Sequence, residues 1–376
     1  MLSAEDIIGA LQDCFAKDVE IRFRHFVRST PATHWLIATD FVLTGEERRN
    51  DAFAFSVIPF DSGWDAIVGD IRAAGTKDIK KVRSIAPSML SYLRADRRFH
   101  FCFLPNRDRH NLVTLPMVQD AIDRSISQMR QWQNQSDRVD TIKAFQGLQQ
   151  DAKARRFNVP LFNDMVLTAT LASWLSVLLA KHARADLVLW LPDRDKMTSA
   201  YGGIIHQMFN VSFSGLCERL GINERLTQLA IAHEPVPDAK RAWYDDFVRI
   251  PDHIAGAMAR WDFVANKITS DPPKHVEMVE KVIADHPALA IIPINFNVFG
   301  VAASQVVASS VTAQTSGGHL PIPFWAVLDF AVAEQTEPLR RAVHRKLGKQ
   351  LLSWTSWASV EYIMRPGYAR RYGDET

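Results

Sequence analysis

Four aspartates stand where a carboxylate is either costly or useful. Asp40 falls inside the apolar run WLIATDFVL, Asp193 and Asp195 follow LVLWLP, and Asp252 lies in IPDHIAGAMARWD. Burying an unpaired carboxylate is expensive, so a purely structural Asp40 needs a cation such as Arg22, Arg24 or Lys80 beside it. Carboxylate oxygens are the ligands that hard divalent cations take. Acids from separate elements that converge on Mg²⁺ or Mn²⁺ can activate a water and stabilise the leaving oxygen of a phosphodiester. Plainer roles compete at each position. Asp195 precedes a helical stretch at Lys196 to Met208 and would cap it, while Asp252 would favour the positive end of a helix entered at Pro251. Asp51, Asp70 and Glu46 are explained by a solvated loop or helix face.

The elements that must position these groups centre on DLVLWLPDRDKM. Leu187 to Leu191 is too short for a helix and right for a strand buried on both faces. Pro192, having no N–H to give, ends it, which leaves Asp193 and Asp195 where an α/β sheet offers its strand ends to ligand. Upstream, Val19 to Val27 and His34 to Leu43 read as β-rich runs parted by STPAT, and Ala52 to Phe60 as the antiparallel partner of the second. Asp61 and Ser62 are candidate caps for a helix from Trp64, and Pro87 to Leu93 predicts a short helix before a fourth strand, Phe99 to Leu104. Helices at Gln119 to Gln135 and Leu161 to Lys181 would cross the sheet and return the chain to Leu187 as a parallel strand. Beyond a helical Lys196 to Leu220, Leu226 to His233 predicts another strand. Ile254, Met258, Trp261 and Ala265 recur at helical spacing, and Ala255, Gly256, Ala257 and Ala259 leave that helix thin enough to approach a sheet closely.

Composition narrows the classes. An apolar content of 47% with ten Trp and 21 Phe argues for a chain that mostly folds. The N-terminal MLSAEDIIGALQDCF reads as an amphipathic helix with Ser3 as cap, not as a signal peptide, and Cys14, Cys102 and Cys217 have no paired spacing. A reducing, cytoplasmic interior is the expectation. Val166 to Ala180 falls short of a membrane span and reads as a core helix, while Ala288 to Leu328, which lacks Asp, Glu, Lys and Arg, carries too many Pro, Asn and Gln for a lipid-facing helix. No P-loop, dinucleotide, zincin or G-x-S-x-G motif occurs, and His206, His233 and His253 lack metal-ligand spacing. The net charge of +2 permits a polyanionic partner without requiring one. Basic groups cluster at Lys77, Lys80, Lys81 and Arg83, at Lys153, Arg155 and Arg156, and from Arg340 to Arg371 beside Tyr368 and Tyr372. Such clusters can neutralise phosphates, though a solvated face explains each singly.

Asp40 mid-strand before a hairpin, Asp193 after LVLWLP and Asp252 before a small-residue run together resemble the ribonuclease H-like superfamily, over roughly residues 20 to 265. Two departures are visible: a strand at 20 to 28 ahead of the Asp40 strand, and a middle acid that is Asp193, Asp195 or Asp108. The resemblance implies a mixed sheet, an antiparallel hairpin or meander plus parallel strands, flanked by helices. It would occupy residues 1–265 with a helical insertion at about 115–185, followed by a mixed helical extension over 266–376. It also implies a divalent-metal-dependent nuclease with Asp40, Asp193 and Asp252 as catalytic acids, and with Asp195 joining them as a ligand of Mg²⁺ or Mn²⁺. Two alternatives stand beside it: a non-catalytic protein of the same fold that binds nucleic acid or, through its C-terminal region with Trp354 and Trp357, a protein partner or itself; and a metal-dependent glycosyltransferase using Asp193 and Asp195. None of the three calls for a membrane.

Overall fold

A computed structural model describes residues 4–15, 18–43, 48–131, 138–154, 157–232, 242–263, 267–268 and 273–308. They form a seven-stranded mixed sheet with helices on both faces. The chain enters through helices α1 (Ala4–Phe15) and α2 (Val19–Ser29), then lays down β1 (His34–Val42) and β2 (Ala52–Pro59). Helices α3 (Trp64–Ala74) and α4 (Pro87–Arg94) lead to β3 (Phe99–Pro105). Three helices follow, α5 (Leu115–Gln131), α6 (Val139–Asp151) and α7 (Val159–His182), before β4 (Leu187–Pro192). Next come α8 (Lys196–Gly203), α9 (Ile205–Leu220), β5 (Gln228–Ile231) and α10 (Asp245–Met258). A two-stranded ladder of β6 (Trp261–Asp262) and β7 (Lys267–Ile268) precedes α11 (Pro273–Met278), β8 (Leu289–Asn297) and β9 (Gly300–Ala303).

The sheet order is β5-β4-β1-β2-β3-β8-β9. β1, β2 and β3 form an antiparallel meander, β4 and β5 add in parallel beside β1, and β8 adds in parallel beside β3 with β9 antiparallel at the edge. The meander and the parallel return at Leu187 are as the sequence predicts. β8 and β9 continue the same sheet past the expected boundary at residue 265.

Strand alternation sorts the core into two layers. On one face Trp35, Ile37, Phe53, Phe55, Phe101 and Trp190 pack under α1, α2, α7 and α9; on the other Leu36, Ala38, Ala54 and Leu191 pack under α3, α4, α10 and α11. The second face is lined with alanines on β1 and β2, and α10 brings Ala255 and Ala257, both fully buried, to meet it. Small residues on both sides allow close approach, which is how the helix carrying Asp252 comes to lie over the strand carrying Asp40. Helix α7 is long and apolar enough to cross a membrane by length and composition, but 83% of that window is buried against the rest of the protein. It is the central helix of the first layer.

Several expectations need correction. Val19 to Val27 is helical: Val19, Phe23, Phe26 and Val27 are the buried residues, a spacing of four, three and one that follows a helix face rather than a pleat. The β-branched and aromatic residues there pack a helix against the Phe99–Phe101 cluster, with Phe23 5.3 Å from Phe99. α3 is preceded by Gly63, with no side-chain cap from Asp61 or Ser62. The polar sequence from Val139 to Asp151 is helix α6. α10 begins at Asp245, so Pro251 lies inside the helix and Asp252 is well past its first turn. Trp261 has left the helix for β6. Ser3, Glu46, Arg155, Arg156, His233, Ala265 and the C-terminal basic and aromatic residues lie outside the described residues.

Candidate functional site

Asp40 and Asp193 meet because of ladder register. β4 runs parallel to β1 with Thr39 opposite Pro192, so the next residue on each strand is an aspartate at the same strand end. Pro192 is the last residue of β4, yet the amide of Asp193 still donates to the Thr39 carbonyl at 3.0 Å, holding the two strands together one step further. Asp40 shares the face of Leu36 and Ala38, beneath α10, and is 6% exposed. Its carboxyl group lies close enough to that of Asp193 for the two to interact. Burial, then the nearby charges of Asp252 and Asp193, hold the Asp40 carboxyl well above its ordinary range, while Lys80 pulls the other way.

Asp252 reaches the same place from α10. Its Oδ2 accepts the Ile79 amide at 2.8 Å, and it is 8% exposed. Burial pushes it up to about 6, against the opposing pull of the Ile79 hydrogen bond and Lys80. A cavity of about 300 Å³ opens here, lined by Asp40, Asp193 and Asp252 together with Lys80, Lys81, Arg194 and Arg249. Three of the four expected acids therefore share one pocket.

The fourth does not line it. Asp195 Oδ1 accepts the amides of Met197 and Thr198 at 2.8 and 3.0 Å, and Thr198 Oγ1 accepts the Asp195 amide in return, a capping box at the start of α8. Asp108, the other choice for a middle acid, accepts from Asn106 after β3, and it too is absent from the pocket walls. Asp193 is the acid the geometry selects.

The pocket also holds two acids that sequence reasoning missed, Asp78 and Asp245. Both come from polar stretches that read as ordinary surface. Asp78 is buried enough to be pushed up, yet its contact with Lys81 outweighs this and holds it below the usual range. Asp245, the first residue of α10, lies 4.0 Å from Arg194. The one available signal was the KDIKK sequence, where a single acid lies inside a basic cluster.

In donor chemistry the acids suit a hard divalent cation, since oxygen ligands are what Mg²⁺ and Mn²⁺ take, and a cation relieves the repulsion that burdens Asp40. They are not drawn to ligand distances: among the described residues no group of three or more His, Cys, Asp and Glu side chains stands in metal-holding geometry. Comparisons with protein-family models, with curated proteins and with solved structures found no match. Fold and pocket define the class reached here, a mixed α/β chain with buried acids facing cations at one end of its parallel strands.

Proposed function

We propose that this pocket is the active site of a divalent-metal-dependent hydrolase of phosphodiesters, a nuclease built on a ribonuclease H-like sheet. The observation that carries it is the meeting of Asp40, Asp193 and Asp252, from three separate elements, in one pocket that also holds Lys80 and Arg194. The antiparallel meander followed by parallel strands supports the fold assignment. Bound Mg²⁺ or Mn²⁺ would supply an activated water and charge stabilisation at the phosphorus. Asp40, Asp193 and Asp252 would hold it, and its charge would favour the ionised form of Asp40 that burial now disfavours. Lys80 and Lys81 bring positive charge to the pocket lining, suited to the anionic backbone of a nucleic acid. Asp195, committed to its cap, takes away one of the two acids on which a glycosyltransferase reading rests. Cys14, Cys102 and Cys217 are all free and buried, which supports placing the chain in a reducing, cytoplasmic compartment.

The test is hydrolysis of single- and double-stranded DNA and RNA with Mg²⁺ or Mn²⁺, comparing the parent with Asp40→Asn and Asp252→Asn. The expected result is cleavage that chelation by EDTA stops and that both substitutions abolish. Cleavage unchanged in both variants would reject the site. Binding of nucleic acid without cleavage on any substrate would favour the non-catalytic alternative.

A further inference from the structure

The turn between α3 and α4 carries more of the site than its sequence suggests. Thr76, Asp78, Lys80 and Lys81 all line the pocket, and the turn is pinned to α10 and α11 at four points. The Ile79 amide donates to Asp252 at 2.8 Å. Lys274, buried at the start of α11, donates through Nζ to the carbonyls of Ile79 at 2.6 Å and Val82 at 2.9 Å. Arg249 donates to the Gly75 carbonyl at 3.3 Å. The fourth point is steric. The Ile79 side chain sits directly on Gly256, where an added Cβ would lie 2.7 Å from Ile79 Cγ2, closer than such atoms come. Gly256 is four residues after Asp252, one helical turn on, so the same face of α10 that takes the Ile79 amide also leaves room for its side chain.

The cations of the pocket differ in their commitments. Lys81 is paired with Asp78, Arg249 with Asp246 and Arg194 with Asp245. Lys80, exposed on the same turn, makes no ion pair within 4.0 Å among the described residues. That leaves it available to an incoming anion.

We infer that residues 76–82 form a strap held by two positioning residues, Gly256 and Lys274, and that the strap delivers Lys80 to the phosphate of a phosphodiester while its Ile79 amide fixes one oxygen of Asp252. The inference rests on the active-site reading above for what the strap serves, and on packing alone for how it is seated. Neither Gly256 nor Lys274 lines the pocket. Their effect on hydrolysis runs through the strap.

The experiment is a compensating pair. Gly256→Ala must push Ile79 off α10, whereas Gly256→Ala with Ile79→Ala removes the colliding Cγ2 and keeps the amide. Hydrogen exchange of the 76–82 segment reads the seating directly, and turnover of bis(p-nitrophenyl) phosphate with Mn²⁺ reads its consequence. Gly256→Ala is expected to speed exchange of the segment at least tenfold and to lower kcat/KM about a hundredfold, the scale of a misplacement near 1 Å. The double variant should recover most of both. Lys80→Met should raise KM about tenfold with a smaller change in kcat, the mark of a binding contact. Lys274→Met, which pulls the other pin, should loosen the segment as Gly256→Ala does and serves where that variant fails to fold. Exchange unchanged in Gly256→Ala and Lys274→Met, or a double variant no better seated than the single, would overturn the strap. A parent that hydrolyses nothing sinks the active-site reading instead, and the exchange data still judge the strap.

Discussion

Two of the groups of buried acids among the described residues, one on each face of the same sheet, are built in opposite ways. On the face beneath α7, Asp51 is fully buried and accepts Arg109 at 2.7 Å, while Asp164 of α7 accepts the same guanidinium at 2.9 Å and His110 at 3.0 Å. Arg109 is 3% exposed and also donates to the Asn106 carbonyl at 2.9 Å. Beneath α10 the pattern reverses. Asp40 faces Asp193 and Asp252 at a pocket open to solvent, and the charges of both raise its carboxyl while Lys80 opposes them. A buried acid that is matched by a buried cation holds a fold together. A buried acid with acids for neighbours is disfavoured in its charged form, and a cation bound among them would relieve that.

Removing one acid from each group separates these roles most sharply. Asp40→Asn should lower phosphodiester turnover by at least about 10³, equivalent to about 4 kcal/mol of lost transition-state stabilisation, while leaving the chain folded and at least as stable at pH 7. Its neutral amide keeps the size of the carboxyl group and ends the repulsion from Asp252 and Asp193. Turnover and a thermal melt on the same preparation check both halves, and a variant that is inactive because it is unfolded would defeat the comparison. In the other group, Arg109→Met should cost about 3–5 kcal/mol, since two buried carboxylates lose their shared cation. Urea denaturation measures that loss. Activity per folded molecule is expected to stay near the parent's.

pH sharpens the contrast further. Asp252 titrates at about 6 in the fold against 3.8 ordinarily, so across that interval the folded chain holds the proton more tightly than the unfolded chain. Its contribution to stability is therefore greatest below 3.8, falls as pH rises through about 6, and is flat above. The amplitude is on the order of 3 kcal/mol, and Asp40, raised in the same direction, adds to it. Asp78, held below its ordinary value, works with the opposite sign, so the quantity to measure is the difference between parent and Asp252→Asn in EDTA. Stability of the parent should drop relative to the variant between pH 4 and pH 7. Parallel curves would mean that Asp252 titrates normally.

Much of this was legible in the sequence where pattern and register coincide. An acid inside WLIATDFVL and another just past LVLWLP are one step beyond paired positions of two parallel strands, so the juxtaposition of Asp40 and Asp193 follows from ordinary strand pairing. The small-residue stretch of α10 foretold a close approach, but to two partners: the alanines of the sheet and, through Gly256, the Ile79 turn. What could not be read was which surface-like charges are buried. Asp51 sits in a polar loop sequence and was best explained by solvent, yet Arg109, 58 residues away, takes it into the core. α2 misled for a related reason. Its Val, Ile and Phe residues favour strands locally, and only packing against β3 decides for the helix.

Asp195 gives the smallest expected effect and the finest division within the pocket's own sequence. It stands two residues from Asp193, yet its side chain is taken up by the amides that open α8. Asp195→Ala should cost about 1 kcal/mol, the usual loss for an N-cap, and should leave Mn²⁺ affinity measured by calorimetry unchanged. Asp193→Ala should do the reverse, weakening Mn²⁺ binding while sparing the helix. Asp195→Asn, which keeps an oxygen acceptor for both amides, should recover most of the lost stability, since a cap needs the acceptor and not the charge. If Asp195→Ala instead weakened Mn²⁺ binding as much as Asp193→Ala, the acid would serve the cation after all, and the capping box would have to open when the metal enters.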